Sequence, residues 1–172
     1  SNYAQSNIVG YYDKPDRNLG AGAPPCRLTK FTRDEVDKWQ KALPFIKEMN
    51  KWFKKLNPKE YKEQKKRAEL NDFHIKGTAF STITINNNWQ TALHVDDGDF
   101  KKGFGNLCVI EKGKYTGGFT GFPQFGVAAN VRTGDYLSMD VHQWHCNTPL
   151  IGNNFQRLSL VAYLRENMAR CK

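Results

Sequence analysis

The feature that most constrains this chain is a change of sequence pattern near residue 76. Before this point, apolar residues recur at three- and four-residue steps from Val36 to Phe53, which is typical of an amphipathic helix. After it, short runs rich in β-branched and aromatic residues alternate with Gly and Asn, which predicts many short strands. This order indicates an α+β domain built on a double-sheet jelly roll, with the N-terminal helices packed on one sheet.

The length of the chain corresponds to one domain over residues 1–172, with no internal linker. We predict an irregular N-terminal segment at residues 1–30, in which residues 20–25 read Gly-Ala-Gly-Ala-Pro-Pro. A helical region is expected at residues 31–70 and a jelly-roll core at residues 77–168.

Two signals for helix starts divide the helical region. Thr32 and Glu35 have the spacing of a capping box, and Asn57-Pro58 offers a side-chain cap followed by proline at the first helical position. Pro44 lies between them, and we expect it to kink or split the first helix.

The chain is strongly basic, with a formal net charge of +9 and a pI of about 9.4. This charge favours a polyanionic partner, nucleic acid first, although a solvated surface would look the same. The lysine-rich stretch from Lys51 to Lys66 is a candidate for phosphate contacts. The chain has no apolar run of about 18 residues and no signal-peptide pattern at its start, so we expect neither a membrane partner nor secretion.

The four cysteines are Cys26, Cys108, Cys146 and Cys171, and no two of them form a CxxC pair. This spacing argues against a zinc knuckle and against a dense disulfide scaffold. We therefore expect four free thiols in a reducing compartment.

A His-x-Asp motif at His94 and Asp96 carries the clearest chemical signal. On a strand, residues two apart point to the same face, so both side chains can reach one metal ion. A distant histidine would complete a two-histidine, one-carboxylate triad, which is typical of non-haem Fe(II) oxygenases. His142 and His145 both compete for this place, and we prefer His145 because of its spacing to Arg157.

Arg157 and Ser159 share one face of a strand that is otherwise hydrophobic. A buried arginine needs an anionic partner, and its planar guanidinium binds a carboxylate through two hydrogen bonds. We therefore predict that Arg157 and Ser159 bind the distal carboxylate of 2-oxoglutarate as a co-substrate.

The sequence resembles the TET/JBP family of oxygenases, which oxidise the 5-methyl group of pyrimidine bases in nucleic acid. The resemblance extends from about Gly20 to Met168. It includes the segments Pro25–Thr29, Leu56–Gln64, His94–Asp99, Tyr115–Gly118, His145–Pro149 and Arg157–Arg165. The segments of the distal half are fairly specific in combination. It implies a double-stranded β-helix that holds Fe(II) and 2-oxoglutarate, with His94, Asp96 and His145 as the metal ligands.

The resemblance also implies three further roles. Arg27 corresponds to a second arginine near the metal-binding end of the co-substrate, and Asp99 to a polar residue that contacts the pyrimidine edge. Arg165 stands where several members have a base-contacting histidine. For Asp99 a simple turn residue is the alternative, and for Arg165 a solvated strand end.

We therefore expect a 5-methylpyrimidine dioxygenase that acts on 5-methylcytosine, thymine or both, yielding 5-hydroxymethyl or more oxidised products. The expected partner is nucleic acid, DNA before RNA, as a single strand or with the base flipped out of a duplex. We expect a monomer of viral or microbial type, located in the cytoplasm or nucleus. Two alternatives stay open: a hydroxylase of a free metabolite or protein side chain, and an inactive nucleic-acid-binding jelly roll.

Overall fold

The computed structural model describes residues 5–14 and 26–171. These residues form three helices, two short 3₁₀ helices and eleven strands. The helices are α1 (Lys30–Asp34), α2 (Val36–Leu56) and α3 (Pro58–Ala68). The strands are β1 (Ser6–Tyr12), β2 (Arg27–Leu28), β3 (Thr82–Asn87), β4 (Gly105–Lys112), β5 (Thr116–Gly117), β6 (Thr120–Phe122), β7 (Val127–Ala129), β8 (Tyr136–Met139), β9 (Cys146–Asn147), β10 (Leu150–Ile151) and β11 (Gln156–Tyr163).

All strand pairings are antiparallel among these described strands. The largest sheet has six strands in the order β2-β1-β3-β11-β4-β8, and two smaller sheets have the orders β7-β6-β9 and β10-β5. The predicted α+β class is therefore confirmed, but β1 and β2 precede the helices, so the expected order of helices followed by strands is wrong at its start.

The two faces of the central strand β11 contact different parts of the molecule. Leu160 and Ala162 belong to the apolar core shared with the helices, whereas Arg157, Ser159 and Val161 line a cavity on the other face. This alternation follows from the two-residue period of a strand. The helices and the cavity therefore lie on opposite faces of the large sheet.

The helical layer is held on the sheet by the apolar stripe of α2. Trp39, Ile46, Met49 and Phe53 are all buried, and Phe53 stacks on Phe80 with ring centroids 5.9 Å apart. Burial of each such side chain contributes about 1.5–3 kcal/mol. Among the described residues, no helix is both long enough and apolar enough to cross a membrane.

Two details of the helix prediction are wrong. Glu35 separates α1 from α2, and the Thr32 hydroxyl does not cap a helix but accepts a hydrogen bond from the Gly10 N–H at 2.7 Å. Pro44 does not split α2, which runs without a break from Val36 to Leu56. The predicted start at Pro58 is confirmed, but the Asn57 side chain makes no capping hydrogen bond.

The expectation of an irregular segment at residues 1–30 is also wrong in its first part. Residues 6–12 form β1, which pairs with β3 and buries Val9 in the helical core. Its β-branched and aromatic residues carry a strand signal, but the neighbouring sequence rich in Gly and Pro hid it. The predicted loop at residues 20–25 lies outside the described residues.

The cysteine prediction is wrong for two of the four residues. Cys26 and Cys171 form a disulfide across 145 positions of the chain, whereas Cys108 and Cys146 are free. Two lone cysteines that are far apart in sequence give no spacing signal, because only folding brings them together. The disulfide therefore does not support the reducing compartment that we expected.

Candidate metal centre

His94 and Asp96 lie on the connection between β3 and β4. We had predicted that both residues lie on a strand, but this is wrong. Only His94 takes part in β pairing, through a single isolated bridge with His145. The N–H of each histidine donates to the carbonyl of the other, both at 3.0 Å, and the Asp96 N–H donates to the Val141 carbonyl at 3.0 Å. These three backbone hydrogen bonds hold the segment with His94 and Asp96 against the segment from Val141 to His145.

The three side chains converge on one point. One ligand atom from each of His94, Asp96 and His145 lies within 4.8 Å of the other two. The Nε2 atoms of His94 and His145 lie 3.5 Å and 3.7 Å from the two oxygens of the Asp96 carboxylate. Two imidazoles and one carboxylate at this separation match a facial metal site with open positions.

Both histidines are oriented by the backbone. Nδ1 of His94 lies 2.7 Å from the Ala92 carbonyl, and Nδ1 of His145 lies 2.8 Å from the Gln143 carbonyl. Because a carbonyl only accepts hydrogen bonds, each Nδ1 donates to it, and Nε2 is the nitrogen that faces Asp96 and can bind a metal. This pattern is typical of histidines that bind a metal.

His142, the competing candidate, does not join this group. It lies in a turn, where Nδ1 is 3.2 Å from an Asp140 carboxylate oxygen and Nε2 is 3.3 Å from the Asp99 carbonyl. Among the described residues the structure therefore brings His145, and not His142, to His94 and Asp96.

A cavity of about 340 Å³ opens beside the three residues. Arg157 and Ser159 line it, and Arg157 is only 2% exposed. Nη2 of Arg157 donates to the Gly118 carbonyl at 3.2 Å, while its buried Nε has no hydrogen-bond partner in the part of the chain described. Burial lowers the pKa of Arg157, so an anion in the cavity would stabilise its charged form. This arrangement can bind a carboxylate.

Arg27 is not brought to this cavity. It lies on β2, where its guanidinium donates to the carbonyls of Lys14 at 3.2 Å and Leu28 at 3.4 Å. It is not among the residues that line the cavity. The role that the family resemblance implied for Arg27 therefore has no support in this geometry.

Asp99 and Arg165 both line the cavity and form an isolated bridge with each other. Asp99 is 5% exposed, which is unlike a free turn residue, and Arg165 is not a solvated strand end. Burial, together with the charge of Asp96, raises the pKa of Asp99 to about 8, although Arg165 opposes this shift.

One residue of this region was missed in the sequence. Asp13 follows β1, and its carboxylate forms an ion pair with Arg165, with Nε of Arg165 2.9 Å from Oδ1 of Asp13. The two residues are 152 positions apart, so no local pattern relates them. Asp13 lies in the segment that we had interpreted as irregular.

Comparisons with known proteins agree with this geometry. The model of the Tet_JBP family, the oxygenase domain of the 2OGFeDO superfamily, matches residues 7–166. Thymine dioxygenase JBP1 of Trypanosoma brucei brucei is 36% identical over 168 residues, which cover 93% of this chain and 19% of that protein. The bifunctional helicase and thymine dioxygenase JBP2 of Leishmania tarentolae is 35% identical over 168 residues, which cover 95% of this chain and 15% of that protein. The chain thus spans a fifth or less of these relatives.

A solved structure, NgTET1 in complex with 5mC DNA, has a similar fold. Its TM-score is 0.72 at 15% identity, and the match covers 96% of this chain and 62% of that one. At this identity the likeness concerns the fold alone. Fe(II) and 2-oxoglutarate are the cofactors of the superfamily whose model matches, and the triad of His94, Asp96 and His145 fits them. The chain therefore belongs to the Tet_JBP family of 2-oxoglutarate- and Fe(II)-dependent oxygenases.

Proposed function

We propose that this chain is a dioxygenase that oxidises the 5-methyl group of a pyrimidine base in DNA. The observation that carries the proposal is the triad of His94, Asp96 and His145 beside a cavity with a buried arginine. The names of the relatives support the substrate, since two are thymine dioxygenases and one structure contains 5mC DNA.

The residues present fit Fe(II) and 2-oxoglutarate. The Nε2 atoms of His94 and His145 and the carboxylate of Asp96 would hold the ion, and the unpartnered Nε of Arg157 would supply a donor for a carboxylate. Ser159 lies on the same face of β11 and adds a hydroxyl. When bound, the iron with its co-substrate supplies oxidising power from O₂, which the protein residues cannot provide.

The protein itself binds, orients and excludes water. Arg157 is almost completely buried, so a carboxylate that it binds is desolvated and held in one orientation. At the other end of β11, Asp99 and Arg165 offer polar groups to a base. We propose that the base enters between these two ends, with its methyl group toward the triad.

A base inside a duplex cannot present its methyl group to this cavity. It must be flipped out or come from a single strand, at a cost of a few kcal/mol in a duplex. Trp89 lines the cavity and is 42% exposed, so it is available to stack on a base. Phe104, which is also near the metal motif in sequence, packs against the helical core.

The basic helices do not adjoin the cavity. α2 packs on the opposite face of the large sheet, and none of the lysines from Lys51 to Lys66 lines the cavity. Part of this charge is balanced locally, since Lys51 pairs with Glu48 and Lys65 with Glu69. These observations favour a solvated helix face over phosphate contacts by this stretch.

Three finer expectations remain proposals. We propose that the large sheet and the smaller sheets form a double-stranded β-helix, which the likeness in fold supports. A monomer and an intracellular location are proposed from the sequence and from a DNA substrate.

The experiment that tests the function is direct. The purified chain is incubated with Fe(II), 2-oxoglutarate and oligonucleotides that contain 5-methylcytosine or thymine, as single and double strands of DNA and of RNA. Nucleosides are then analysed by mass spectrometry. Oxidised pyrimidine in a DNA arm supports the proposal, whereas succinate formation without any oxidised base would favour a metabolite or protein hydroxylase. Absence of both products would favour an inactive binding module.

A further inference from the structure

Asp13 is a buried acid that the proposed chemistry does not use. Its side chain is 2% exposed, and it meets the guanidinium of Arg165 at two points. Nε of Arg165 lies 2.9 Å from Oδ1 of Asp13, and Nη2 lies 3.5 Å from Oδ2. A buried carboxylate is stable only when it is paired, so the two side chains fix each other.

Two further contacts restrict the guanidinium. The ring of Tyr12 lies 5.1 Å from Cζ of Arg165, and a Cβ at Gly98 would lie 2.1 Å from Nη1. Residue 98 must therefore lack a side chain for Arg165 to occupy this place. The Arg165 N–H donates to the Ser81 hydroxyl at 3.0 Å, which fixes the backbone as well.

These contacts leave Nη1 of Arg165 beside Asp99, and both residues line the cavity. Nη1 lies 3.6 Å from Oδ1 of Asp99, which is longer than an ordinary hydrogen bond. An N–H donor and a carboxyl group thus lie side by side at the cavity wall. A flipped base is recognised through the donors and acceptors on its pairing edge, and in both thymine and cytosine these groups are adjacent.

We propose that Asp13 is a positioning residue for base recognition, which holds Arg165 so that Nη1 of Arg165 and the carboxyl of Asp99 together contact the edge of a pyrimidine base. Asp13 does not itself touch the base. Nη1 of Arg165 already lies at ion-pair distance from Asp99, and without Asp13 the guanidinium would turn further toward Asp99 and form a direct hydrogen bond with it. Both groups would then be less available to a base. This inference rests on the proposed function.

The test compares Asp13→Asn with Asp37→Asn, a matched control that removes the same charge from an exposed position on α2. The steady-state constants are measured for a methylated oligonucleotide and for 2-oxoglutarate. We expect Asp13→Asn to raise the KM for the oligonucleotide about tenfold or more, with a smaller change in kcat and no change in the KM for 2-oxoglutarate. The control matches the wild type. A purely structural role for Asp13 would instead lower kcat and raise both KM values together.

A double-mutant cycle tests whether Asp13 acts through Arg165. Arg165→Gln is made alone and together with Asp13→Asn, and oligonucleotide binding by the metal-free protein is followed by fluorescence anisotropy. If Asp13 acts through Arg165, the second substitution adds no further loss of affinity and restores part of the stability lost when Asp13 is left unpaired. Independent, additive losses would overturn the inference.

Gly98→Ala provides a second route if Asp13→Asn does not fold. It displaces the guanidinium from the opposite side and is expected to raise the same KM, again without changing that for 2-oxoglutarate. An unchanged oligonucleotide KM in either folded variant would refute the inference. Turnover by the wild-type protein separates the two proposals. If the wild type oxidises the oligonucleotide and both variants have an unchanged KM for it, only the role of Asp13 is refuted. No turnover of any oligonucleotide refutes the proposed function and this inference together.

Discussion

His94 and His145 are backbone partners as well as side-chain neighbours. Each N–H donates to the carbonyl of the other at 3.0 Å, and their imidazole centroids lie 4.3 Å apart. The backbone pairing therefore sets the separation of two metal ligands that are far apart in the sequence, before any ion binds.

Replacement of His145 tests the assignment of the third ligand. His145→Ala removes one Nε2 from the triad, and we expect it to lower Fe(II) affinity by roughly 100-fold or more, since loss of an outer-shell partner alone costs 10–100-fold. His142→Ala is the matched control, because its contacts are to Asp140 and the Asp99 carbonyl. Metal titration by calorimetry measures both. Equal losses in the two variants would contradict the assignment of His145.

Replacement of Arg157 tests the carboxylate site. Arg157→Lys keeps the charge but loses the planar pair of donors, so we expect the KM for 2-oxoglutarate to rise about 10–100-fold. Arg27→Lys serves as the control, because Arg27 bonds to the carbonyls of Lys14 and Leu28 and does not line the cavity. The KM for 2-oxoglutarate of both variants is measured by steady-state kinetics with varied 2-oxoglutarate. A raised KM in the Arg27 variant would restore the role implied by the family resemblance.

The pKa of Asp99 predicts how stability changes with pH. In the folded state it is raised from 3.8 to about 8, first by burial and then by the charge of Asp96. A raised pKa means that the folded state holds the proton more tightly, so this contribution to stability is lost as pH rises toward 8. Asp99→Asn removes this loss. Urea unfolding of the metal-free protein at several pH values between about 5 and 8 should show a shallower decline for the variant than for the wild type, by at most about 1.4 kcal/mol per pH unit.

Asp37→Asn is the control for this measurement, because it removes an exposed carboxylate from α2. It should follow the wild-type curve. If Asp99→Asn also follows that curve, then burial of Asp99 does not control the pH dependence.

The Cys26–Cys171 disulfide predicts a sensitivity to reduction. It closes a loop of 145 positions, and loss of a native disulfide that constrains a long loop costs about 2–5 kcal/mol. Cys26→Ser should therefore lower the free energy of unfolding by that amount, and a reducing agent should lower the stability of the wild type but not of the variant. Cys108→Ala, which alters a free thiol, keeps the response to reduction. An identical stability of Cys26→Ser and the wild type would show that the bond does not form in solution.

The metal ligands could be predicted because two of them are close in sequence and histidine is rare in this chain. His94 and Asp96 are two residues apart, and the chain has only three other histidines to supply the third ligand. Arg157 was recognisable as a charge within a hydrophobic strand. The role of Asp13, by contrast, depends on contacts that form only when β1 joins the large sheet that also contains β11. Nothing near Asp13 in the sequence predicts a partner 152 positions away.

The same limit explains the errors in the helical region. Thr32 has the right type and spacing for a capping box, but its hydroxyl is occupied by a tertiary contact with the Gly10 N–H and a local one with the Thr29 hydroxyl. Pro44 lacks an N–H and was expected to kink or split the helix, yet α2 runs without a break from Val36 to Leu56, with its apolar stripe packed on the sheet. In both cases packing outweighed a local preference.

The most direct test of the central proposal follows the hydrogens of the methyl group. An oligonucleotide with a fully deuterated 5-methyl group is incubated with the wild type, Fe(II) and 2-oxoglutarate, and both nucleosides and succinate are quantified by mass spectrometry. We predict a 5-hydroxymethyl product that retains two of the three deuterium atoms, with one succinate formed for each, and neither product from His145→Ala. Succinate formation while every methyl group keeps all its deuterium would contradict the proposal.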